Sequence, residues 1–319
     1  MSGYAWRRLL ALIPTMFFAS IIVFLSVRLI PGDVIDLMLS QNNVSADTSL
    51  SRDQLVQALG LDRPMWAQYL SWSTGILFRG DFGTSLWTST PVLETLLERM
   101  PVTLELAFLA LIVALTVALP IGIYSAIRQD TSADYIMRSF SILMLAIPSF
   151  WLATMVMVLP SIWWNWTPEV RYVPFLTDPW QNLKQMILPA IILGTALSAV
   201  TMRMTRTMML EVLRQDYIRT AWAKGLSERR IVIRHALRNA LIPVVTLIGL
   251  QAPMLLSGAV ILEQIFVIPG IGMLLLDAVS TRDYPIVTGV FLVVGLAVML
   301  INLLVDLSYG WLDPKVRYR

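Results

Sequence analysis

The chain has 319 residues, of which 57% are hydrophobic and 14% are charged, and its mean hydropathy is +0.70. Soluble domains are about 45–50% apolar and about 25% charged, so this composition excludes an ordinary soluble protein. Cysteine is absent, which excludes disulfides, thiolate metal sites and a cysteine nucleophile.

The apolar residues are grouped into six blocks, and each is close to the roughly 20 residues that a helix needs to cross a bilayer. We predict membrane helices at 9–30, 103–127, 139–164, 185–209, 241–266 and 285–309. The first block could also begin a secretory signal, but it is longer than the 7–15 apolar residues of a cleaved signal. We therefore predict that it is retained.

The segment 31–100 is polar enough to lie outside the membrane. Apolar residues at helical spacing predict short helices, and a Gly-Asp-Phe-Gly run followed by Thr90-Pro91 predicts turns. The apolar positions are Leu55, Leu59, Trp66, Tyr69, Leu70 and Trp72. The segment could be a docking surface or gate for an outside partner, or a structural cap, and the residues do not decide between these.

Charge is distributed unequally between the two sides of the predicted topology. With the N-terminus inside, 16 of the 24 Lys and Arg residues but only 7 of the 21 acids fall on the inner side. Because inner loops carry an excess of Lys and Arg, both termini are predicted to be cytoplasmic. This sidedness also accounts for the pI of about 9.3, so we expect no nucleic-acid partner.

The inner segment 211–240 has the pattern of two short helices joined by a corner. Asp216 is predicted to cap a helix that runs through Lys224, and Gly225 is the residue expected in the left-handed conformation at its end. Ser227 is predicted to cap the second helix, with Glu228 in its first turn.

On the first of these helices, Ile218, Ala221 and Trp222 are predicted to share one face. A short cationic helix pair with small residues at its tip suits insertion into a groove on a cytoplasmic partner. A basic loop that faces anionic lipid is the alternative that these residues leave open.

The segments 216–230 and 234–243 resemble the EAA loop of ABC-importer permeases, in the dipeptide/oligopeptide/nickel branch. Other stretches resemble the same branch, so the resemblance covers nearly the whole chain: 29–33, 59–64, 80–83, 266–272, 282–285, 302–306 and 312–315. The long first outer loop is similar to that of the permease often labelled B, of the two in such systems.

The resemblance implies an all-α integral membrane protein of about six spans with the type I ABC importer permease fold. It implies the division 1–30 (tail and first helix), 31–100 (outer helical region), 101–312 (five-helix core with the EAA loop at 211–240) and 313–319 (cytoplasmic tail). It also implies that the loop forms a coupling helix on an ATP-binding subunit, through Arg219, Thr220, Ala221, Lys224, Gly225, Leu226, Ser227, Glu228, Arg229, Arg230, Arg234 and His235. The general EAA pattern has Glu and Ala where this chain has Arg219 and Thr220, so properties of sugar or amino-acid permeases are not transferred.

The partners that the resemblance implies are a homologous second permease (C-type), two ATP-binding subunits or domains, an extracytoplasmic substrate-binding protein and the lipid bilayer. The expected location is the bacterial or archaeal cytoplasmic membrane. None of the sixteen glycines is followed by Lys, so the chain has no Walker A loop. We therefore expect ATP and Mg to be held by the partner subunits, and this chain to have no cofactor, metal or catalytic residue.

The expected cargo is a di- or oligopeptide; nickel or a metal chelate, glutathione, a sugar or another small solute are alternatives within the branch. A stand-alone secondary carrier would place ionisable residues near the bilayer midplane. Here those residues lie toward the ends of the predicted spans: Arg28, Glu105, Arg203, Arg206, Glu263 and Asp306. A membrane enzyme is disfavoured because His235, the one histidine, has no apparent catalytic partner in the sequence.

Overall fold

The computed structural model describes residues 2–28, 56 and 62–312, and these are helical almost throughout. The helices are α1 (Ser2–Arg28), α2 (Met65–Arg79), α3 (Val92–Ile127), α4 (Ser132–Ala146), α5 (Ser149–Trp164), α6 (Pro179–Leu213), α7 (Asp216–Ala223), α8 (Glu228–Phe266), α9 (Ile271–Thr281) and α10 (Tyr284–Leu312). Helix α8 contains one π-helical turn, Ile231–Ala236.

Five of these helices contain a stretch long and apolar enough to cross a membrane: Leu10–Arg28 of α1, all of α3, α6 and α8, and Tyr284–Ser308 of α10. Helices α4 and α5 pass the same test as a pair. The described residues therefore contain five spans, or six when the bent pair is counted as one, which confirms the predicted number. The predicted C-terminal tail, 313–319, lies outside the described residues.

The third predicted span, 139–164, is not a single helix. Helices α4 and α5 meet at an angle of 86°, and Ile147 between them has extended backbone angles, φ −87° and ψ 118°. The next residue is Pro148, whose ring disfavours helical angles at the residue before it. Membrane helices tolerate many prolines, but at Pro148 the helix is interrupted.

The chain divides into two compact units. The first is built mainly from 100–273, and its core lies where α3, α5, α6 and α8 pack together. Small residues allow close approach there: a Cβ on Gly194 of α6 would lie 2.5 Å from the Ala110 carbonyl oxygen of α3. Close packing through small residues is how membrane helices associate without a hydrophobic driving force between them.

In the same unit, a buried carboxylate holds the turn that follows α8. The Glu263 carboxylate accepts hydrogen bonds from Thr103 Oγ1 (2.6 Å) and from the Met273 backbone N–H (2.9 Å), at the first turn of α9. The chain turns between Val267 and Gly270 and continues as helix α9 from Ile271, a helix that was not predicted. A Cβ on Gly270 would lie 2.2 Å from Glu263 Oε1, so the turn and the carboxylate fit each other only with glycine there.

The second unit comprises 10–99 and 274–297. It contains α2, which confirms a short helix within the predicted outer segment, although Leu55 and Leu59 lie outside the described residues. The segment after α2 packs against the turn before α10, because Ser85 Oγ donates to Asp283 Oδ2 (2.5 Å) and Trp87 Nε1 donates to the Thr281 carbonyl (2.8 Å). Two stretches about 200 residues apart in sequence are thereby joined.

Candidate coupling loop

The helix of the candidate coupling loop, α7, has eight residues, and its N-cap lies one position earlier than predicted. Gln215 is the N-cap, with extended angles (φ −73°, ψ 148°) and no side-chain cap bond, and Asp216 is the first helical residue. The assignment of Asp216 as N-cap was therefore wrong. Its carboxylate still lies in the first turn, where the helix dipole favours a negative charge.

The end of α7 confirms the predicted glycine corner. Gly225 has φ +74°, in the left-handed region, and an added Cβ would meet nothing within 4 Å. The Gly225 N–H bonds to the Trp222 carbonyl (2.9 Å), and the Leu226 N–H bonds to the Ala221 carbonyl (3.3 Å). This pair of bonds is a Schellman motif, which satisfies the carbonyls at a helix end and turns the chain sharply.

The second helix of the loop begins at Glu228 after Ser227, which is the N-cap as predicted, although its hydroxyl makes no cap hydrogen bond. This helix does not end before the fifth membrane span. It continues through the π-helical turn Ile231–Ala236 into the rest of α8. The second half of the loop and the membrane span thus form one continuous helix. Its π-helical turn lies within the loop, and such turns are frequent at functional sites.

Two buried residues hold α7 against the unit. Ile218 is 0% and Ala221 is 7% exposed. They lie in a buried apolar cluster with Ala126 of α3, Met209 of α6 and Ile231 of α8. Since an isolated helix of eight residues is not stable in water, this packing determines the position of α7.

Two aromatic side chains flank the buried face of α7 and are exposed. Trp222 is 49% and Tyr217 is 43% exposed. Trp222 follows Ile218 by four residues and Ala221 by one, a spacing that places it on the same side of the helix, at the exposed edge of the face that the other two bury. The apolar cluster beneath α7 takes in only Ile218 and Ala221 of this helix. Asn239 of α8 donates a hydrogen bond from Nδ2 to the Tyr217 hydroxyl (2.8 Å), which orients one of the two aromatic rings.

The structure brings the twelve predicted contact residues together on one loop, with different exposures. Ala221 is buried, and Leu226 and His235 are half-buried. The others are exposed: Arg219, Thr220, Lys224, Gly225, Ser227, Glu228, Arg229, Arg230 and Arg234. Ala221 is therefore buried beneath the exposed residues of the loop in this chain.

The exposed part of the loop is positively charged. Arg219 pairs with Asp216 (Nη1 to Oδ1, 3.3 Å), but both side chains are largely exposed and such pairs stabilise a fold little. Within residues 62–312, no carboxylate lies within ion-pair distance of Lys224, Arg229 or Arg234. These cations remain available to an acidic surface on a partner.

A buried ion pair near the loop was missed by the sequence reasoning. Asp134 of α4 is 0% exposed, and Arg206 of α6 binds both of its oxygens, from Nε (2.8 Å) and Nη2 (2.7 Å). The Ser125 hydroxyl of α3 also donates to this carboxylate. Together, these contacts join three helices. The only local sequence signal of a paired carboxylate here was Arg138, four residues after Asp134, and its Nη1 lies 3.9 Å from Asp134 Oδ2.

The described part of the chain contains no cluster of three or more His, Asp or Glu side chains that could hold a metal ion. The loop exposes two aromatic rings and several cations beside a glycine corner, and groups of this kind suit contact with another protein.

Residues 118–318 match the family described as binding-protein-dependent transport system inner membrane component, and residues 1–107 match the N-terminal part of such membrane components. The chain belongs to this family. The match includes the whole candidate coupling loop and every span from α6 onward, so the permease is a multi-pass inner-membrane transport subunit.

Relatives match this permease over its full length. It is 41% identical to the dipeptide transport system permease protein DppB of Escherichia coli (strain K12) and 41% identical to the di/tripeptide transport system permease protein DppB of Pseudomonas aeruginosa, with 100% of each chain covered. A putative peptide transport system permease protein of Brucella abortus is 40% identical, again with complete coverage of both chains.

Among solved structures, the permease is similar to a chain of the MetNI methionine ABC transporter in an inward-facing crystal form. The TM-score is 0.55 at 14% identity, and the match covers 69% of this chain and 97% of the other. The fold is that of a type I ABC importer permease, as predicted.

Proposed function

We propose that this permease carries di- and oligopeptides inward across the membrane, as one half of a translocation pathway that is driven by ATP hydrolysis on separate subunits. The observation that supports the cargo is the 41% identity, over the entire length of both chains, to a dipeptide permease. The observation that supports the energy coupling is the loop at 211–240.

In this proposal, α7 inserts into a groove on an ATP-binding subunit. Its buried anchors, Ile218 and Ala221, fix its direction, while Tyr217 and Trp222 present half-exposed rings to the partner. Aromatic residues that become fully desolvated are frequent energetic centres of protein interfaces. Cations around them steer an acidic partner toward the loop and orient it.

The same proposal assigns the remaining parts of the transporter. A homologous second permease (C-type) completes the pathway, two ATP-binding subunits or domains hold ATP and Mg, and an extracytoplasmic binding protein delivers the cargo. This chain itself holds no cofactor and performs no catalysis. Both of its termini lie in the cytoplasm, in accordance with the excess of Lys and Arg on the inner side.

Transport is tested with the permease pair, the ATP-binding subunits and the binding protein reconstituted in proteoliposomes. We expect a loaded binding protein to stimulate ATP hydrolysis and a radiolabelled dipeptide to accumulate only with ATP. Accumulation of the peptide by this chain alone without ATP would refute the ABC mechanism. ATP-driven uptake of a metal chelate or glutathione, with no peptide uptake, would refute the cargo alone.

Docking and orientation are tested with single cysteines, because the natural chain has none. Ala223→Cys, exposed on α7, is expected to react with a membrane-impermeant maleimide only after cells are opened, and to be protected when the ATP-binding subunits are bound. Arg63→Cys, exposed before α2, is the matched control and should react in intact spheroplasts whether or not those subunits are bound. Labelling of Ala223→Cys in intact spheroplasts would reverse the proposed topology.

A further inference from the structure

The second unit contains a cavity of about 290 Å³ that plays no part in the candidate coupling loop. It lies between the end of α1, the length of α2 and the start of α10. Its walls combine two arginines and one carboxylate with aromatic and small side chains, namely Arg28, Arg79, Asp81, Trp72, Phe82 and Ser71. A cavity of this mixed character fits a small ligand that carries charge.

The cavity lies at a membrane boundary. The apolar stretch of α1 has 19 residues and ends at Arg28, so it is about 28 Å long at 1.5 Å per residue, close to the roughly 30 Å of a hydrocarbon core. Tyr284, which begins the apolar stretch of α10, lines the same cavity. Two spans therefore reach their end at this cavity.

An aromatic cluster at the same place supports this position. The Phe24 ring lies 5.5 Å from the Tyr69 ring and 5.6 Å from the Trp72 ring, measured between centroids. Tyr and Trp are enriched where the hydrocarbon core meets the headgroups. The cavity is thus at headgroup depth, beside the rings that mark it.

The two arginines of the cavity have no acidic partner among the described residues. Arg28 is half-buried, with its guanidinium carbon 5.2 Å from the centroid of the Phe24 ring, and no carboxylate of the described chain lies within ion-pair distance of Arg28 or Arg79. Guanidinium groups bind phosphate through paired, charge-assisted hydrogen bonds. Asp81 uses Oδ1 to accept the Gly83 N–H (2.8 Å), and Oδ2 is available to a cation.

We propose that this cavity binds the headgroup of a phospholipid, with the phosphate held by Arg28 and Arg79 and a headgroup ammonium placed near Asp81. Lipid is favoured over a peptide cargo because α1 exposes a row of large apolar side chains that acyl chains can cover: Ile13, Phe17, Phe18 and Ile22. The volume is also at the low end of small-molecule sites, which suits a headgroup and leaves no room for an oligopeptide. The inference does not depend on the proposed peptide cargo.

The test uses the complete detergent-purified transporter in which Ser71→Cys, on the exposed cavity wall, is the only cysteine of this chain. The rate of its reaction with a soluble maleimide is measured while phosphatidylethanolamine, phosphatidylglycerol, inorganic phosphate or a dipeptide is added. We expect phosphatidylethanolamine to slow the reaction most. With Arg28→Gln and Arg79→Gln together, protection should require at least about tenfold more lipid, because charged hydrogen bonds to the phosphate are lost.

Two further variants separate this result from general damage to the fold. Arg63→Gln removes an exposed cation outside the cavity, and its lipid dependence should equal that of the parent. Asp81→Asn keeps the Oδ1 acceptor for Gly83 and should abolish the preference for phosphatidylethanolamine over phosphatidylglycerol, while protection by both lipids persists.

Three results would overturn the proposal. Equal lipid protection in the parent and the double arginine variant would show that the guanidinium groups do not bind the phosphate. Protection by the dipeptide without protection by lipid would show that the cavity is a binding site for the transported peptide. Protection by inorganic phosphate at the same concentrations as lipid would make it a site for free anions.

Discussion

Truncation of the buried anchor of α7, Ile218→Ala, should release this helix while the rest of the permease remains folded. Ile218 is 0% exposed and packs among the ends of α3, α6 and α8. The substitution removes three buried carbons at about 0.8 kcal/mol each, or about 2.4 kcal/mol, before any contribution from the cavity left behind. Since α7 is too short to be helical without this packing, the cost falls on the local unfolding of the loop.

The expected result is faster amide hydrogen exchange in residues 216–226. A loss of about 2.4 kcal/mol corresponds to exchange that is about 50-fold faster, because each 1.4 kcal/mol is a factor of ten. The measurement is hydrogen exchange with mass spectrometry on the permease pair purified without its ATP-binding subunits, so that docking does not mask the change. In the complete transporter, the same variant should hydrolyse ATP with little stimulation by a loaded binding protein.

Ile233→Ala is the matched control, because it removes the same three carbons from the same loop at a side chain that is 54% exposed. Its effect on exchange in 216–226 should be below about 0.5 kcal/mol, which is about twofold. The reasoning is refuted if both variants accelerate exchange equally, or if Ile218→Ala changes it by less than about fivefold.

Three further changes have expected outcomes. Gly225→Val places a β-branched residue at φ +74° in open space, so it should cost about 1–2 kcal/mol of backbone strain and lower dipeptide uptake at an unchanged amount of protein in the membrane. Asp134→Asn leaves the Arg206 guanidinium without its buried carboxylate and should destabilise the folded permease by about 3–5 kcal/mol, as measured by thermal unfolding. The control Asp216→Asn, at an exposed ion pair, should change that stability by less than about 0.5 kcal/mol. Gly270→Ala brings a methyl group to 2.2 Å from the Glu263 carboxylate and should accelerate hydrogen exchange at the start of α9.

The parts of the fold that were predicted correctly depend on local patterns. The spans follow from apolar blocks, because every backbone group in the hydrocarbon core must bond within its own helix. The corner at Gly225 follows from the tolerance of glycine for positive φ. The charged side chains among the predicted contact residues are exposed, as their composition suggests, since charged groups rarely leave water without a partner.

The parts that were missed depend on contacts between residues distant in sequence. The bend after α4 contrasts with Pro120, Pro189, Pro243 and Pro253, which lie inside continuous helices, and nothing local separates Pro148 from them. Helix α9 was overlooked because its eleven residues are too few for a span. Its start is held by Glu263, whose partner Thr103 is 160 residues away.

Helix α8 connects the candidate coupling loop to the turn that the Glu263 carboxylate holds at the start of α9. It runs from Glu228 to Phe266 without a break, so its 39 residues extend for about 58 Å at 1.5 Å per residue. A displacement of the loop therefore reaches the start of α9, unless bending absorbs it at Pro243 or Pro253, where a backbone hydrogen bond is missing. Among the described side chains, the core of the first unit holds α8 only beyond Pro253, through Leu255, Ala259, Leu262 and Phe266. This core therefore fixes the far part of the span, and the stiffness of the helix at its two prolines determines how much of a displacement of α7 would arrive there.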